Sequence, residues 1–263
     1  MDEDRVVKLI DKLQYFDYDK ILNKIRKTVQ KPSVLVTGGT GVGKSSLINR
    51  LFGMDAAPTG SGRSVTEHIA RYEPEHSDVI LYDTRGYETG EEKQDKFYKE
   101  VIGFVKEANQ QSDVTKHVHL TWYCISAANK RVVPADLTAV AALSGLTKVC
   151  IVLTQIDSAT VVELDEMKAA LAEKLPETKV FAVSLDPRIP EEMVQWETLI
   201  EWSVDQLDSG LQLAFAQALG QELRIKHLQA DQLIHRYVVA AGGAVVCPLP
   251  MTDSAAVSYT HLR

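Results

Sequence analysis

The feature that most constrains this chain is a glycine-rich segment at residues 38–45, GGTGVGKS. It follows an apolar run at 33–37 (SVLVT), typical of a strand buried in a parallel sheet, and precedes an amphipathic helical pattern at 46–52 (SLINRLF). Glycines allow the backbone to curl so that successive N–H groups point inward, and the following helix directs its positive end at the same point. The spacing predicts a loop that binds phosphate groups.

Two residues of this loop have distinct expected roles. The ammonium group of Lys44 would reach the β- and γ-phosphates of a nucleotide, and the hydroxyl of Ser45 would ligate Mg²⁺. A glycine-rich turn that only permits close packing is the alternative interpretation. The residues expected to contact phosphate are Gly38, Gly39, Thr40, Gly41, Val42, Gly43, Lys44, Ser45 and Ser46.

A second acidic position follows another apolar run. Residues 79–82 (VILY) predict a strand that ends at Asp83, and Gly86 comes three residues later. A carboxylate at this place can hold Mg²⁺ through water, and a glycine N–H can bind a γ-phosphate. A DxxG match alone is also common in plain turns, so its order after the phosphate loop carries the prediction.

The rest of the pattern alternates between strand-like and helix-like segments, which predicts a three-layer α/β domain with a mainly parallel sheet. The expected strands lie near 67–73, 78–82, 118–126, 148–153 and 179–184, and the expected helices at 44–52, 91–109, 135–143, 161–174 and 191–207. Trp196 and Trp202 fit the last helix as packing residues.

Three regions are expected along the chain: an amphipathic helical lead-in at 1–32, the α/β domain at 33–207, and a helical hydrophobic segment at 208–263. The apolar stretch at 237–251 is too short to span a bilayer and contains two prolines. Residues 257–263 (VSYTHLR) resemble translated adapter sequence, so we expect a natural reading frame truncated at this end.

The composition indicates which binding partners and which cellular compartment to expect. The net charge is −7 and no run of Lys and Arg occurs, so nucleic acid is not indicated. Cys124, Cys150 and Cys247 lack the paired spacing of a zinc or redox site, and the amino terminus lacks a secretory pattern. We expect a cytoplasmic protein, with peripheral membrane contact through 208–263 as a further expectation.

Together these motifs resemble the Ras-like GTPase superfamily and, within it, the Era-like bacterial GTPases. The resemblance implies a three-layer P-loop GTPase domain flanked by helices, with GTP or GDP as ligand and Mg²⁺ as cofactor. Residues 122–125 (WYCI) and 248–253 (PLPMTD) look most like the YfjP-like branch, which adds a hydrophobic helical domain.

The same resemblance implies a switch loop at 54–66, in which a threonine ligates Mg²⁺. Thr66 is the best match and Thr59 is the alternative. Arg63 stands three residues earlier, where an internal arginine could stabilise transition-state charge, although a solvated loop arginine is the simpler interpretation. The expected catalytic set is therefore Lys44, Thr66, Gly86 and Arg63.

Base recognition is expected at 154–157 (TQID), where the family pattern has Asn-Lys-x-Asp. Asp157 can accept hydrogen bonds from guanine N1–H and its amino group, a pairing that adenine cannot offer. Thr154 and Gln155 replace the family's asparagine and lysine, so base affinity should be lower. Ser184 and Leu185 match the family's last loop near the guanine oxygen.

Hydrolysis is expected to be slow. Tyr87 stands where many relatives have a water-orienting glutamine, and Arg85 stands where the Era-like group usually has proline. The leading prediction is a Mg²⁺-dependent GTP switch stimulated by a homodimer partner or an activating protein. The alternatives are a nucleotide-dependent assembly or membrane-proximal scaffold with little turnover, and an ATP-using P-loop enzyme.

Overall fold

The computed structural model describes residues 31–53, 63–64, 66, 68–73, 79–86 and 91–219. These residues lie in one compact unit, Met1–Ile225, and the second unit, Lys226–Arg263, lies outside the described residues. The predicted lead-in helix, Thr59, Tyr87 and the apolar stretch at 237–251 also lie outside them.

Seven strands in the described residues form one sheet in the order β2-β3-β4-β1-β5-β6-β7. The pairs β4–β1, β1–β5, β5–β6 and β6–β7 are parallel, whereas β2–β3 and β3–β4 are antiparallel. The strands are β1 (Ser33–Gly38), β2 (Arg63–Ser64), β3 (Ile69–Tyr72), β4 (Ile80–Thr84), β5 (Leu120–Ser126), β6 (Lys148–Thr154) and β7 (Lys179–Ala182).

Six α-helices in the described part of the chain cover this sheet. They are α1 (Lys44–Phe52), α2 (Glu91–Asn109), α3 (Pro134–Ser144), α4 (Val161–Lys174), α5 (Trp196–Asp205) and α6 (Ser209–Ala218). None of the described helices is long and apolar enough to cross a bilayer.

Side chains of β5 alternate between the two faces of the sheet, as the two-residue period of a strand requires. Tyr123 and Ile125 join the core formed with α2, α3 and α4. On the opposite face, Trp122 stacks on Phe52 of α1 with ring centroids 6.0 Å apart, and its Nε1 donates to Ser203 Oγ of α5 at 3.1 Å. The predicted three-layer α/β architecture is confirmed.

The predicted helix at 191–207 is wrong in its first turns. A short 3-10 helix covers Glu191–Met193, and α5 begins only at Trp196. Between them Val194 is extended, and Gln195 pairs with the end of β7. Gln195 N donates to Ala182 O at 2.8 Å, and its side-chain oxygen accepts from Ala182 N at 2.9 Å. These bonds satisfy the backbone of Ala182, the residue at which β7 ends, two residues before the predicted end at 184.

Candidate nucleotide-binding site

The predicted site segments lie at the carboxyl ends of β1, β4, β6 and β7 or directly after them. These four strands run parallel to one another, so their carboxyl ends lie at the same edge of the sheet. Ligands of open α/β sheets bind in the crevice at this edge. Segments as far apart as residues 38 and 184 thus border one crevice.

The phosphate loop turns sharply as it leaves β1. Gly38 has φ 133°, and a Cβ at this position would lie 2.2 Å from the Cys124 carbonyl oxygen of β5. Only glycine allows that approach. The side chain of Lys44 folds back over the loop, where its Nζ donates to Gly39 O at 2.7 Å and to Gly38 O at 3.2 Å.

Burial lowers the pKa of Lys44, although Cys124 and Asp83 act in the opposite direction. Lys44 is 6% exposed and lines a cavity of about 530 Å³ together with Ser45, Ser46, Thr66, Asp83 and other residues. A buried ammonium group needs anionic or strongly polar partners, because desolvation disfavours its charge. The cavity is therefore suited to an anion such as a phosphate group.

Asp83 and Ser45 form the centre of the predicted metal site. Ser45 Oγ donates to Asp83 Oδ2 at 3.1 Å, while Asp83 Oδ1 is buried and has no hydrogen-bond partner among the described residues. Burial raises the pKa of Asp83, against the opposing effects of Lys44 and the Ser45 hydrogen bond. A buried carboxylate oxygen without a partner beside a hydroxyl oxygen fits a hard divalent cation such as Mg²⁺.

Gly86 brings the loop after β4 against the phosphate loop. It has φ 81°, and a Cβ there would lie 2.7 Å from the backbone of Gly39 and Thr40 and from Lys44 Nζ. Arg85 N donates to His68 O at 2.9 Å, which fixes the other side of this loop. A substitution at Gly86 would therefore disturb the phosphate loop directly.

Thr66 lines the same cavity as Asp83 and Ser45. Its Oγ1 accepts hydrogen bonds from Ile69 N at 3.1 Å and from His68 N at 3.3 Å. These two donors occupy both lone pairs of the hydroxyl, so ligation of a cation by Thr66 requires a rearrangement of this turn. The backbone of Arg63 lies in β2, in register with Arg71 of β3.

A second cavity, of about 520 Å³, borders the phosphate cavity and contains the predicted base-binding residues. Ser184 Oγ donates to Asp157 Oδ1, which fixes the carboxylate, and Thr154 Oγ1 donates to Val42 O of the phosphate loop at 2.5 Å. Thr154 thereby ties β6 to the phosphate loop. The cavity lining includes Thr154, Gln155, Asp157, Ser184, Leu185 and Trp196.

Some residues of the site had no clear signal in the sequence. Trp196 lines the base cavity, although its helical spacing indicated packing. Ser126 contacts Gln155, and Glu100 contacts the turn of Thr66. Both are single polar residues in regular elements, and only the fold brings them to the site.

Comparisons with known proteins agree with this geometry. Residues 33–155 match the family model described as 50S ribosome-binding GTPase. The chain is 26% identical over 193 residues to Septin-2 of Rattus norvegicus, covering 63% of this chain and 53% of that protein. It is 22% identical over 260 residues to neuronal-specific septin-3 of Mus musculus, covering 85% of this chain and 73% of that protein. The chain thus spans about half the length of Septin-2.

Two solved structures are similar to the chain. One is a probable GTP-binding protein engB, with 19% identity and a TM-score of 0.48, over 66% of this chain and 97% of that chain. The other is Aquifex aeolicus Era bound to GDP.AlF4-, with 18% identity and a TM-score of 0.45, over 68% and 57%.

The fold and the site define a nucleotide-binding P-loop domain of the α/β class. The part of the chain that matches the GTPase family model, residues 33–155, contains the phosphate loop, Asp83 and Gly86.

Proposed function

We propose that this chain is a Mg²⁺-dependent switch that binds GTP and hydrolyses it slowly to GDP. One observation carries the proposal: Lys44, Ser45 and Asp83 border one cavity, and Asp157 borders the cavity next to it. Gly43, Ser46 and Gln155 line both, so a phosphate chain and a base have adjoining places. We also propose that the protein belongs to the Era-like group and its YfjP-like branch.

Phosphate binding follows from the charges at the first cavity. Lys44 Nζ donates to Gly38 O and Gly39 O, and a bound β- or γ-phosphate would offer it an anionic acceptor instead. The backbone of residues 38–46 and the positive end of α1 would hold the remaining phosphate oxygens.

Ser45 and Asp83 are the residues that would hold Mg²⁺, joined by Thr66 after its turn rearranges. The chemistry that bound Mg²⁺ supplies is neutralisation of charge on the β- and γ-phosphate oxygens. The buried Asp83 Oδ1, which lacks a partner among the described residues, is the observation that favours this assignment.

Guanine is the base that the second cavity fits. The Asp157 carboxylate can accept from two adjacent donors, N1–H and the amino group, and Ser184 holds that carboxylate in place. Adenine offers no such donor pair. This contact is the physical argument against an ATP-using enzyme.

Hydrolysis would proceed by attack of water on the γ-phosphorus, with release of GDP through cleavage of the bond to the bridging oxygen. The Gly86 N–H would bind the γ-phosphate, and Arg63 is a candidate for stabilising the transition-state charge. Tyr87 cannot orient water as a glutamine does, which supports slow turnover stimulated by a partner. The cytoplasmic location and the membrane contact through 208–263 stay predictions.

Titration of the full chain with GTP, GDP and ATP, followed by single-turnover assays with and without Mg²⁺, tests this proposal. We expect guanine nucleotides to bind at least tenfold more tightly than ATP, and turnover to require Mg²⁺. Equal binding of ATP, with no effect of Asp157→Asn, would overturn it. Binding without turnover, with or without lipid vesicles, would instead favour the assembly scaffold.

A further inference from the structure

A chain of hydrogen bonds runs from the end of β5 to the phosphate loop. Ala128 N donates to Ser126 Oγ at 3.2 Å, and Ser126 Oγ donates to Gln155 Oε1 at 2.5 Å. The other end of the same amide, Gln155 Nε2, donates to Gly41 O at 3.3 Å. All three bonds run in one direction, so each polarises the next.

The direction of these hydrogen bonds fixes the orientation of the Gln155 amide. An amide has a donor end and an acceptor end of nearly equal size, so its partners decide which end faces which way. Ser126 Oγ accepts from Ala128 N and donates its own hydrogen to Gln155 Oε1. The NH₂ end then faces the Gly41 carbonyl, whereas a flipped amide would set two oxygens against each other.

Gln155 stands at the junction of the two cavities. It has φ 54°, a left-handed conformation that directs its side chain from the end of β6 over the phosphate loop. Its neighbour Thr154 donates to Val42 O at 2.5 Å. Two consecutive residues at the end of β6, Thr154 and Gln155, thus donate to the carbonyls of two consecutive phosphate-loop residues, Val42 and Gly41.

We propose that Ser126 is a positioning residue for guanine nucleotides, and that it acts by orienting the amide of Gln155. The inference rests on the guanine nucleotide binding of the proposed function. Ser126 itself is buried, 4% exposed, and acts from behind Gln155. In this protein a serine and a glutamine, rather than a single cationic side chain, hold the Gly41 carbonyl at the phosphate cavity.

A double-mutant cycle measured by calorimetric titration of GDP with saturating Mg²⁺ tests the proposal. Ser126→Ala should weaken GDP binding about five- to tenfold, because the Gln155 amide loses its orienting donor. The same substitution in a Gln155→Ala chain should have no such effect, since alanine has neither a donor nor an acceptor for Ser126 to bind. Ser126→Thr, which keeps the hydroxyl, should restore binding.

Two comparisons keep the result interpretable. Ser144→Ala removes a hydroxyl that bonds Val140 O within α3, at the opposite edge of the sheet, and should leave GDP affinity unchanged. Ser126→Cys replaces the hydroxyl with a thiol, which is a weak donor of similar size. This variant takes the place of Ser126→Ala in the cycle if the alanine variant does not fold. Melting temperatures of all variants report whether the fold is intact.

An equal loss of affinity from Ser126→Ala in both backgrounds would overturn the proposal, because Ser126 would then act only by capping the turn at Ala128. This outcome differs from failure of the proposed function. A chain that binds GDP but hydrolyses no GTP contradicts the switch, yet the cycle with GDP can still be measured.

Discussion

The carboxylate of Glu100 lies 2.6 Å from Nδ1 of His68, and its other oxygen accepts from His68 N at 3.2 Å. Glu100 belongs to α2, which follows Asp83 and Gly86 in sequence, whereas His68 is two residues from Thr66. Burial acts to raise the pKa of Glu100, but hydrogen bonds from Thr66 and His68 hold it below its usual value. This contact connects α2 to the turn of the candidate metal-binding threonine.

Glu100→Ala should favour GTP over GDP. The Glu100 contacts stabilise the turn in which the Thr66 hydroxyl is occupied by His68 N and Ile69 N, so their loss lowers the free energy needed to recruit Thr66. We expect about fivefold tighter binding of a non-hydrolysable GTP analogue with Mg²⁺, and an unchanged affinity for GDP.

Glu107→Ala is the matched control, because Glu107 is an exposed residue of the same helix. It should change neither affinity. Equal gains for the GTP analogue and GDP in the Glu100 variant would mean that the contact does not distinguish the two nucleotides.

Gly86→Ala should impair nucleotide binding, since the added Cβ would lie 2.7 Å from Gly39, Thr40 and Lys44 Nζ and since φ at this position is 81°. We expect at least a tenfold loss of GTP affinity in calorimetric titration. Gly103→Ala is the comparison, because a Cβ there contacts nothing within 4 Å and α2 favours alanine. That variant should bind GTP normally and melt at an equal or higher temperature.

Asp157→Asn should change base preference rather than abolish binding. The amide replaces one acceptor with a donor, so guanine loses a hydrogen bond, while xanthine, with a carbonyl in place of the guanine amino group, gains one. We expect GTP to bind at least tenfold more weakly and XTP more tightly than in the unmodified chain.

Ser184→Ala is the comparison. It should lower the affinity for both nucleotides only a few-fold, because it frees the Asp157 carboxylate without changing its chemistry. A parallel loss of GTP and XTP in Asp157→Asn would contradict a direct contact with the base.

Tyr123→Phe should destabilise the domain. Tyr123 OH donates to Asp136 Oδ1 at 2.7 Å, and Tyr98 OH lies 2.9 Å from Tyr123 OH. Loss of this buried hydroxyl should lower the free energy of unfolding by about 1–3 kcal/mol, measured by urea denaturation. Tyr98→Phe, at a less buried position of the same network, should have a smaller effect, and the reverse order would contradict the network.

Lowering the pH should weaken the stabilising effect of the Glu163 carboxylate at the start of α4. Thr160 and Glu163 form a capping box, and hydrogen bonds from Thr160 N, then Lys130, lower the pKa of Glu163 from 4.5 to about 2. A carboxyl group with a lowered pKa in the folded state stabilises it above the unfolded pKa, and this contribution declines as the pH falls from 4.5 toward 2. The difference in melting temperature between the unmodified chain and Glu163→Ala should therefore shrink between pH 6 and pH 3. A melting-temperature difference that stays constant over this pH range would contradict the role of the Glu163 carboxylate.

Local patterns predicted the parts of the site that depend on neighbouring residues. The phosphate loop needs glycines, a lysine and a hydroxyl at fixed spacing, and β1, β5 and β6 are apolar runs because both faces of the sheet are covered. Asp83 was predictable because it directly follows the apolar run at 79–82, and Asp157 because it lies four residues beyond the run that ends at Leu153. The side-chain hydrogen bond that joins Ser184 to Asp157 agrees with their predicted common site.

Contacts between distant residues could not be predicted in this way. Ser126 is 29 positions from Gln155, and Glu100 is 32 positions from His68. Each depends on how two elements pack, and neither has a sequence pattern of its own. The two-residue strand β2 is likewise too short to produce a periodic signal. The start of α5 at Trp196 was missed because Gln195, the residue before it, pairs with Ala182, a contact that has no signal in the sequence.

Trp196 provides the chain with an optical reporter of its own ligand. Of the three tryptophans, Trp122 is fully buried and Trp202 packs beside Phe181, whereas Trp196 borders the cavity that holds Asp157. A purine entering that cavity would alter the surroundings of one indole and leave the other two unchanged. Base occupancy could then be followed by intrinsic fluorescence on unlabelled protein, with Trp196→Phe as the dark reference.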